Sequence, residues 1–244
     1  MSTAPTHAIV LAAGLGKRMR PLTLTRPKPL VEVAGKPLVQ YNLDWLREAG
    51  ITSAVVNTSY MADMLEAYLA TVTSVNVRIS REEPDPLETG GGILKALPWL
   101  GVRPFVAMNS DAIFPDLPVH PLAAMCRAWD DSAMDFLMLL VPRERARGLH
   151  GKGDFIRNAD GTVRRPSEGE QADYVFTGVE IIHPRVFTKC PQGAFSLNEL
   201  WKRSLDETGT YRRVHSVVLD GDWLHVGDIA GLEEAEAYLS VTQG

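Results

Sequence analysis

Short apolar runs and amphipathic segments alternate through the first third of the chain. Residues 8–13, 54–57 and 75–79 have the apolar or alternating pattern of buried strands. Between them, residues 38–49 and 61–69 carry apolar positions at helical spacing. The order strand, helix, strand, helix, strand is typical of a parallel sheet with right-handed crossovers. Because ligands bind beyond the carboxyl ends of such strands, we expect a site at that rim of the sheet.

The rest of the chain continues this pattern less regularly. A fourth buried strand is predicted at residues 104–108, and a helix is predicted to begin at about Gly91. The chain contains no internal repeat, low-complexity segment or linker, so the sequence predicts one domain of the α/β class over residues 1–244. The other predicted strands are 134–141, 174–182 and 214–219, and the other predicted helices are 120–129, 196–205 and 229–239.

Glycines and basic residues follow the first predicted strand directly. Gly14 and Gly16 allow a tight turn and let the backbone approach a ligand closely. Lys28 stands between two prolines, which stiffen the backbone on both sides. Backbone N–H groups and fixed cations at the end of a strand are suited to a polyphosphate. For each basic residue taken singly, a solvated surface turn is the alternative. The remaining basic residues close to these glycines are Lys17, Arg18 and Arg20.

Two common phosphate motifs do not describe this loop. Met19 stands where a dinucleotide fingerprint has its third glycine, and no Gly-Lys-Ser/Thr follows as in a P-loop. The sequence therefore predicts a polyphosphate site of a different kind.

Polar residues follow two further predicted strands. The run Gly90-Gly91-Gly92 is costly in conformational entropy. It indicates either a flexible hinge or close approach of the backbone to a flat ligand ring, with Glu88 contacting a hydroxylated ligand. Asp111 follows the strand predicted at residues 104–108 and is a candidate Mg²⁺ ligand or a turn cap. Gly178 lies inside a predicted strand, which indicates a bulge or close ligand approach.

Composition narrows the class of function. The chain has 244 residues, 45% of them apolar, and a formal net charge of −5, which argues against nucleic acid as the main partner. Since basic residues cluster around the first loop, we expect a small anionic ligand. Cys126 and Cys190 have no metal-ligand spacing, which favours a reducing compartment. With no signal peptide or membrane-length apolar run, we expect a cytoplasmic monomer or small homo-oligomer with no membrane partner.

Taken together, these motifs resemble the sugar-1-phosphate nucleotidyltransferase family over nearly the whole chain. The resemblance implies a single-domain, Rossmann-like three-layer sandwich around a mostly parallel mixed sheet, the nucleotidyltransferase fold. It also implies transfer of a nucleoside monophosphate from a nucleoside triphosphate to a sugar 1-phosphate, with pyrophosphate released and Mg²⁺ as cofactor. The motifs that carry it lie at residues 11–23, 27–30, 35–38, 87–92 and 109–111.

Within this family, residues 87–92, 150–155 and 176–178 look most like the enzymes that uridylylate N-acetylmuramate 1-phosphate in cell-wall recycling. The resemblance therefore implies UTP as donor and N-acetylmuramate 1-phosphate as acceptor. Two alternatives remain open. One is another hexose-phosphate, heptose-phosphate or phosphocholine nucleotidyltransferase, and the other is a non-catalytic regulator that binds nucleotide sugars.

The resemblance also implies a role for individual residues. Arg18 and Lys28 are expected to be catalytic, Lys28 by neutralising charge on the α-phosphate. Asp111 is expected to hold Mg²⁺. The residues expected to bind the nucleotide are Leu11, Ala13, Gly14, Gly16, Lys17, Asn57 and Gly90. The residues expected to face the sugar are Glu88, Asn109, Asp154, Thr177 and Gly178.

One position departs from the family pattern. The family places a second Mg²⁺-binding aspartate in a Trp-x-Asp-x-Gly-Thr motif, whereas residues 223–228 read Trp-Leu-His-Val-Gly-Asp. His225 stands at the aspartate position, and a neutral imidazole replaces a hard oxygen ligand poorly. Asp228 is an alternative second ligand. The ion could also rely on Asp111, substrate phosphates and water, with His225 a hydrogen-bonding residue at a strand end.

Overall fold

A nine-stranded mixed sheet forms the centre of the computed structural model, which describes residues 5–115, 117, 119–149 and 151–242. Shorter strands form a three-stranded and a two-stranded sheet. The strands are β1 (His7–Leu11), β2 (Glu32–Val33), β3 (Lys36–Pro37), β4 (Ser53–Thr58), β5 (Asn76–Arg81), β6 (Phe105–Asn109), β7 (Ala112–Ile113), β8 (Phe136–Pro142), β9 (Ala146–Arg147), β10 (Ile156–Arg157), β11 (Thr162–Arg164), β12 (Tyr174–Ile182), β13 (Thr210–Val218) and β14 (Trp223–His225). The helices are α1 (Leu38–Glu48), α2 (Ala62–Leu69), α3 (Glu88–Leu100), α4 (Pro121–Ala128), α5 (Asn198–Trp201) and α6 (Ile229–Thr242).

The main sheet has the order β10-β11-β13-β8-β12-β6-β1-β4-β5. Strands β6, β1, β4 and β5 are parallel neighbours, which confirms the parallel arrangement predicted for the first part of the chain. Strand β12 enters antiparallel between β6 and β8, while β8 and β13 pair in parallel. The α/β class and the mixed sheet implied by the family resemblance are therefore confirmed.

Helices cover both faces of this sheet. On one face, Leu43 of α1 and Met125 of α4 belong to the same apolar core as Val10 of β1. On the other face, Ile93 of α3 packs in a second core with Ile9 of β1. Successive side chains of a strand point to opposite faces, so residues 8–11 of β1 are all apolar because both faces are covered. The molecule is accordingly a three-layer sandwich.

A third apolar core anchors the basic loop that follows β1. Met19 is fully buried there, together with Val33 of β2 and Leu224 of β14. The residues on either side of Met19, Arg18 and Arg20, are exposed. Burial of the single methionine therefore fixes the backbone of a loop whose cations remain at the surface.

Two predicted helices have different bounds in the structure. Helix α3 begins at Glu88, three residues before the predicted start, because Gly90 and Gly91 already donate backbone hydrogen bonds to Phe195 O. In place of the helix predicted at residues 196–205, α5 has four residues and is followed by a 3₁₀ turn at Lys202–Ser204. No helix in the described ranges is both long enough and apolar enough to cross a lipid bilayer.

Candidate active site

A cavity lies at the carboxyl ends of β1, β4 and β6, the rim at which the sequence predicts a site. Its volume is about 540 Å³, and its wall combines the loop after β1, the loop before α3 and the segment after β6. The predicted site residues that line it are Leu11, Ala13, Gly14, Gly16, Lys17, Arg18, Lys28, Asn57, Glu88, Asn109 and Asp111.

Gly16 gives the loop after β1 its shape. Its φ is 60°, in the left-handed region that favours glycine. A Cβ at this position would stand 2.9 Å from Thr23 Cγ2 and 3.0 Å from Lys28 Cβ. Thr23 Oγ1 donates a hydrogen bond to Gly16 O at 2.8 Å and closes the turn. By contrast, nothing lies within 4 Å of the place a Cβ would take at Gly14, so its backbone borders open space.

Lys28 and Asp111 form an ion pair in the wall of this cavity. The Nζ atom lies 2.7 Å from Oδ2, and the two side chains are only 13% and 18% exposed. Burial by itself would raise the pKa of Asp111, but Lys28, with a further contribution from His225, holds that pKa below its usual value. The carboxylate is therefore ionised at neutral pH, and a fixed cation lies beside it.

A chain of buried hydrogen bonds joins the loops around the cavity. Ala12 N donates to Asn57 Oδ1 at 2.6 Å, and Asn57 Nδ2 donates to Glu82 Oε1 at 2.8 Å. Leu87 N then donates to Glu82 Oε2 at 2.7 Å, just before α3. Asn57 thus braces the site as well as lining it. Sequence analysis missed Glu82, because its neighbours are polar and nothing in the pattern marks it as buried.

The glycine run at the start of α3 has a packing explanation. A Cβ at Gly90 would overlap the ring of Phe195, and one at Gly91 would overlap the backbone oxygen of Gly193. A Cβ at Gly92 would reach Glu82 Oε1. The absence of Cβ atoms therefore allows neighbouring protein atoms to pack closely here. This packing explains the glycines without a hinge or a ligand ring. Gly90 does not line the cavity, so the structure does not support its predicted contact with a nucleotide.

A second cavity of about 350 Å³ adjoins the first, and Leu11, Thr89 and Asn109 line both. Its far wall consists of β12 and the start of α5. Gly178 lines it with a φ of 81°, where a Cβ would stand 2.7 Å from Asn109 Nδ2. The pairing of β12 with β8 is irregular between Phe176 and Glu180, so the predicted bulge at Gly178 is present. The site consequently has room for two ligands side by side.

Asp154 and Thr177, both predicted to face the sugar, line neither cavity. Thr177 Oγ1 donates to Leu139 O at 2.9 Å within the sheet, and Asp154 Oδ2 accepts a hydrogen bond from Phe176 N at 3.0 Å. Both side chains therefore hold the backbone of β12 next to its bulge. His150, the first residue of the motif that contains Asp154, lies outside the described residues.

The predicted second metal position is built from His225 and Asp228. The His225 side chain interacts electrostatically with Asp111, and its Nδ1 is buried with no hydrogen-bond partner among the residues described. Burial lowers the pKa of His225, and the nearby Asp111 opposes that shift. Asp228 Oδ1 accepts a hydrogen bond from Gly231 N at 2.9 Å and so caps α6. Neither His225 nor Asp228 lines the larger cavity, although Gly227 between them does.

The donor set around Asp111 fits a divalent ion only in part. The described ranges contain no group of three or more His, Cys, Asp or Glu side chains that could hold a metal. An ionised Asp111 at the cavity wall is nevertheless a suitable single ligand, because Mg²⁺ is often held by one or two carboxylates, substrate phosphates and water. The residues therefore fit an ion that arrives with a phosphorylated substrate.

Glu180 is a buried carboxyl group that sequence analysis missed. It lines the second cavity, is 2% exposed, and accepts a hydrogen bond at Oε2 from Trp201 Nε1 at 3.2 Å. Burial raises the pKa of Glu180 to about 8. At neutral pH the side chain is thus protonated, and it can donate as well as accept a hydrogen bond. The available signal was an acidic residue inside an otherwise uncharged and largely apolar strand, which is a local conflict of the kind found at functional sites.

We predict that Glu180→Gln removes a pH dependence of stability. The carboxyl pKa is near 4.5 when unfolded and about 8 in the native protein, so the native state binds the proton more tightly. Its contribution to the free energy of unfolding is therefore full below the unfolded pKa. This contribution falls by about 1.4 kcal/mol per pH unit as the pH rises from the unfolded-state pKa toward the native-state pKa. Urea unfolding of both proteins between about pH 5 and pH 8 measures this difference.

The exposed Glu199→Gln is the matched control, since Glu199 is a neighbouring acid that lines neither cavity. A free-energy difference between wild type and Glu180→Gln that stays constant across this pH range would contradict a protonated Glu180.

Comparison with known proteins places these features in a family. The family model described as Nucleotidyl transferase matches residues 7–240. The chain is 45% identical over 244 residues to N-acetylmuramate alpha-1-phosphate uridylyltransferase of Caulobacter vibrioides, covering 98% of this chain and 99% of the relative. It is 34% identical over 233 residues to the protein of the same name from Neisseria meningitidis serogroup B, covering 94% and 96%.

A solved structure shares the fold. The crystal structure of HddC from Yersinia pseudotuberculosis complexed with GMP-PN matches with a TM-score of 0.76 at 20% identity, over 96% of this chain and 99% of that one. At that identity the likeness concerns the fold alone. Because the family model spans nearly all of the sequence and two curated relatives match over almost their full length, this chain belongs to the nucleotidyl transferase family.

Proposed function

We propose that the chain transfers UMP from UTP to N-acetylmuramate 1-phosphate and releases pyrophosphate, and that residues 1–244 act as one nucleotidyltransferase domain. The observation that carries the proposal is the pair of adjoining cavities, one beside the basic loop and the Lys28–Asp111 pair, the other beside β12. The names of the Caulobacter and Neisseria relatives support the choice of uridine and of the acceptor sugar.

The nucleoside triphosphate occupies the larger cavity. The backbone at Gly16 and the cations of Lys17 and Arg18 hold its phosphates, since all three residues line that cavity and neither cation has an acidic partner in the described ranges. Leu11 and Asn57 border the base and ribose from the strand ends, with Ala13 beside them.

The sugar 1-phosphate occupies the smaller cavity, with Asn109 and Gly178 against the sugar. Leu11, Thr89 and Asn109 border both cavities, so the phosphate of the acceptor and the α-phosphate of the donor can meet at this boundary. Glu88 lines the larger cavity only and therefore belongs with the nucleotide instead of the sugar.

The chemistry is an in-line displacement at the α-phosphorus. An oxygen of the sugar phosphate forms a bond to that phosphorus, and the bond to the bridging oxygen of the pyrophosphate breaks, so the electron pair leaves with pyrophosphate. The nucleophile is already an anion and needs no general base. Two anions must approach each other, so positioning and neutralisation of charge supply the catalysis. Lys28 and Arg18 are the catalytic cations in this scheme.

Asp111 would hold a divalent cation, for which we propose Mg²⁺, with phosphate oxygens and water as its other ligands. When bound, such an ion supplies positive charge to the α-phosphate and to the departing pyrophosphate. Asp111 is ready for this role because Lys28 keeps it ionised. Asp228 is engaged in capping α6, so we assign it no ligand role.

We predict that UTP with N-acetylmuramate 1-phosphate gives the highest kcat/KM for pyrophosphate release in the presence of Mg²⁺. The screen pairs each of the common nucleoside triphosphates with N-acetylmuramate 1-phosphate, several hexose and heptose phosphates, and phosphocholine. A different best pair would replace the proposed substrates.

A second candidate, a non-catalytic sensor of nucleotide sugars, is favoured by His225 at the position where the family has a metal-binding aspartate. Release of pyrophosphate with Mg²⁺ or Mn²⁺ excludes this candidate. Tight binding of a nucleotide sugar without any turnover would support it and contradict the proposed reaction.

We predict that Lys28→Ala lowers kcat by about two to three powers of ten. A cation about 4 Å from a phosphate charge contributes roughly 4 kcal/mol at an effective dielectric constant near 20, and each 1.36 kcal/mol is about a tenfold change in rate. The measurement is kcat at saturating concentrations of both substrates. Lys36→Ala is the control, because Lys36 pairs with Asp44 away from the cavity and its loss should leave kcat unchanged. Near-normal turnover in Lys28→Ala would contradict the catalytic role.

A further inference from the structure

The far end of the smaller cavity combines an apolar wall with two polar side chains. Phe176 of β12, Leu197 and Trp201 supply the apolar surface. Glu180 of β12 and Asn198 at the start of α5 line the same cavity. A ligand group that reaches this end therefore meets hydrocarbon and two groups able to form hydrogen bonds.

Both polar side chains retain unused hydrogen-bonding capacity. The Glu180 carboxyl is nearly fully buried, and its one hydrogen bond among the described residues is the bond that Oε2 accepts from Trp201 Nε1. Asn198 Oδ1 is buried, and no donor in the described part of the chain reaches it. A buried acceptor without a partner is destabilising, so each such atom in a native protein calls for an explanation.

The surroundings of Glu180 keep its carboxyl group neutral. Its partners across the sheet are Ala107 of β6 and Met138 of β8, and neither carries charge. Trp201 on α5 faces it with an indole N–H group. The other ionisable side chain that lines this cavity is Arg165. Its guanidinium donates to Asp154 O at 3.1 Å and does not influence the pKa of Glu180. Burial, unopposed by a neighbouring cation, thus keeps the proton on the carboxyl group at neutral pH.

We propose that Glu180 and Asn198 form a specificity site for the acetamido group of the acceptor sugar. The Glu180 hydroxyl donates to the acetyl carbonyl oxygen, and the methyl group packs against Leu197 and Phe176 beside the Asn198 side chain. The inference rests on the proposed function and adds to it a reason for choosing an N-acetylated acceptor. A sugar that carries a hydroxyl in place of the acetamido group leaves the Glu180 carboxyl and the apolar wall without contacts. A site built to hydrogen-bond a substrate group discriminates strongly against an analogue that lacks the group.

The first test is kinetic. We expect Glu180→Leu to raise KM for N-acetylmuramate 1-phosphate by about tenfold or more, the size of losing a buried hydrogen bond, with little change in KM for UTP. Glu180→Gln retains a donor and should keep a KM near the wild-type value. In wild type, KM should rise above about pH 8 as Glu180 loses its proton, and in Glu180→Gln this rise should be absent. Glu199→Gln, an exposed acid on α5 next to Asn198, is the control and should behave as wild type.

The pH comparison uses two nearly isosteric proteins, so it remains decisive if Glu180→Leu folds poorly. Identical pH profiles for wild type and Glu180→Gln would overturn the inference, as would an unchanged KM in folded Glu180→Leu. Neither result would contradict the proposed reaction, because that reaction is tested separately by turnover in the wild-type protein.

A binding measurement distinguishes failure of this inference from failure of the proposed reaction. Saturation-transfer NMR follows the acetyl methyl signal of N-acetylglucosamine 1-phosphate, with glucose 1-phosphate as the ligand that lacks the group. If wild type turns over no sugar phosphate, the proposed reaction fails and this signal still decides the inference. Loss of methyl saturation in Glu180→Leu, but not in Glu180→Gln, supports the site. Equal saturation in all three proteins overturns it.

Discussion

The ion pair between Lys28 and Asp111 is the interaction on which the site depends. It joins the loop after β1 to the segment after β6, two parts of the chain 83 residues apart, at the rim where the parallel strands end. Both side chains are largely removed from water, and a buried charge without its partner is costly. The pair therefore fixes a cation and an ionised carboxylate side by side before any substrate arrives. Preorganised charge of this kind is what a reaction between two phosphate anions requires.

The rest of the fold holds that pair and the loop in place. Packing of Met19 against β2 and β14 fixes the loop after β1, while the basic neighbours of Met19 stay at the surface. From the other side, the buried chain through Asn57 and Glu82 ties the loop to β4 and to the start of α3. The glycines of α3 let the segment around Phe195 approach closely, and this contact brings α5 to the wall of the smaller cavity. These contacts therefore hold the strand ends in place and at the same time form the walls of the two cavities.

Sequence alone predicted the parts of this arrangement that depend on local pattern. The apolar runs marked the buried strands, and the glycines and cations after β1 marked the larger cavity. Periodicity reports burial but carries no strand direction, so it could not place β12 antiparallel between β6 and β8. Strand alternation then places Phe176, Gly178 and Glu180 of β12 on the side of the cavity. Thr177 therefore lies away from the cavity and hydrogen-bonds within the sheet, whereas Glu180, an acidic residue that sequence analysis passed over, lines the site. Such outcomes follow from tertiary register, which a single sequence does not display.

The central claim is that Lys28 and the loop after β1 receive the triphosphate. A crystal structure with a non-hydrolysable UTP analogue and Mg²⁺ tests it most directly. We predict the phosphates against residues 14–18, with an α-phosphate oxygen within about 4 Å of Lys28 Nζ, the range in which one charge strongly stabilises another. A nucleotide bound elsewhere on the molecule, or bound here with its α-phosphate well beyond the reach of Lys28, would contradict the account.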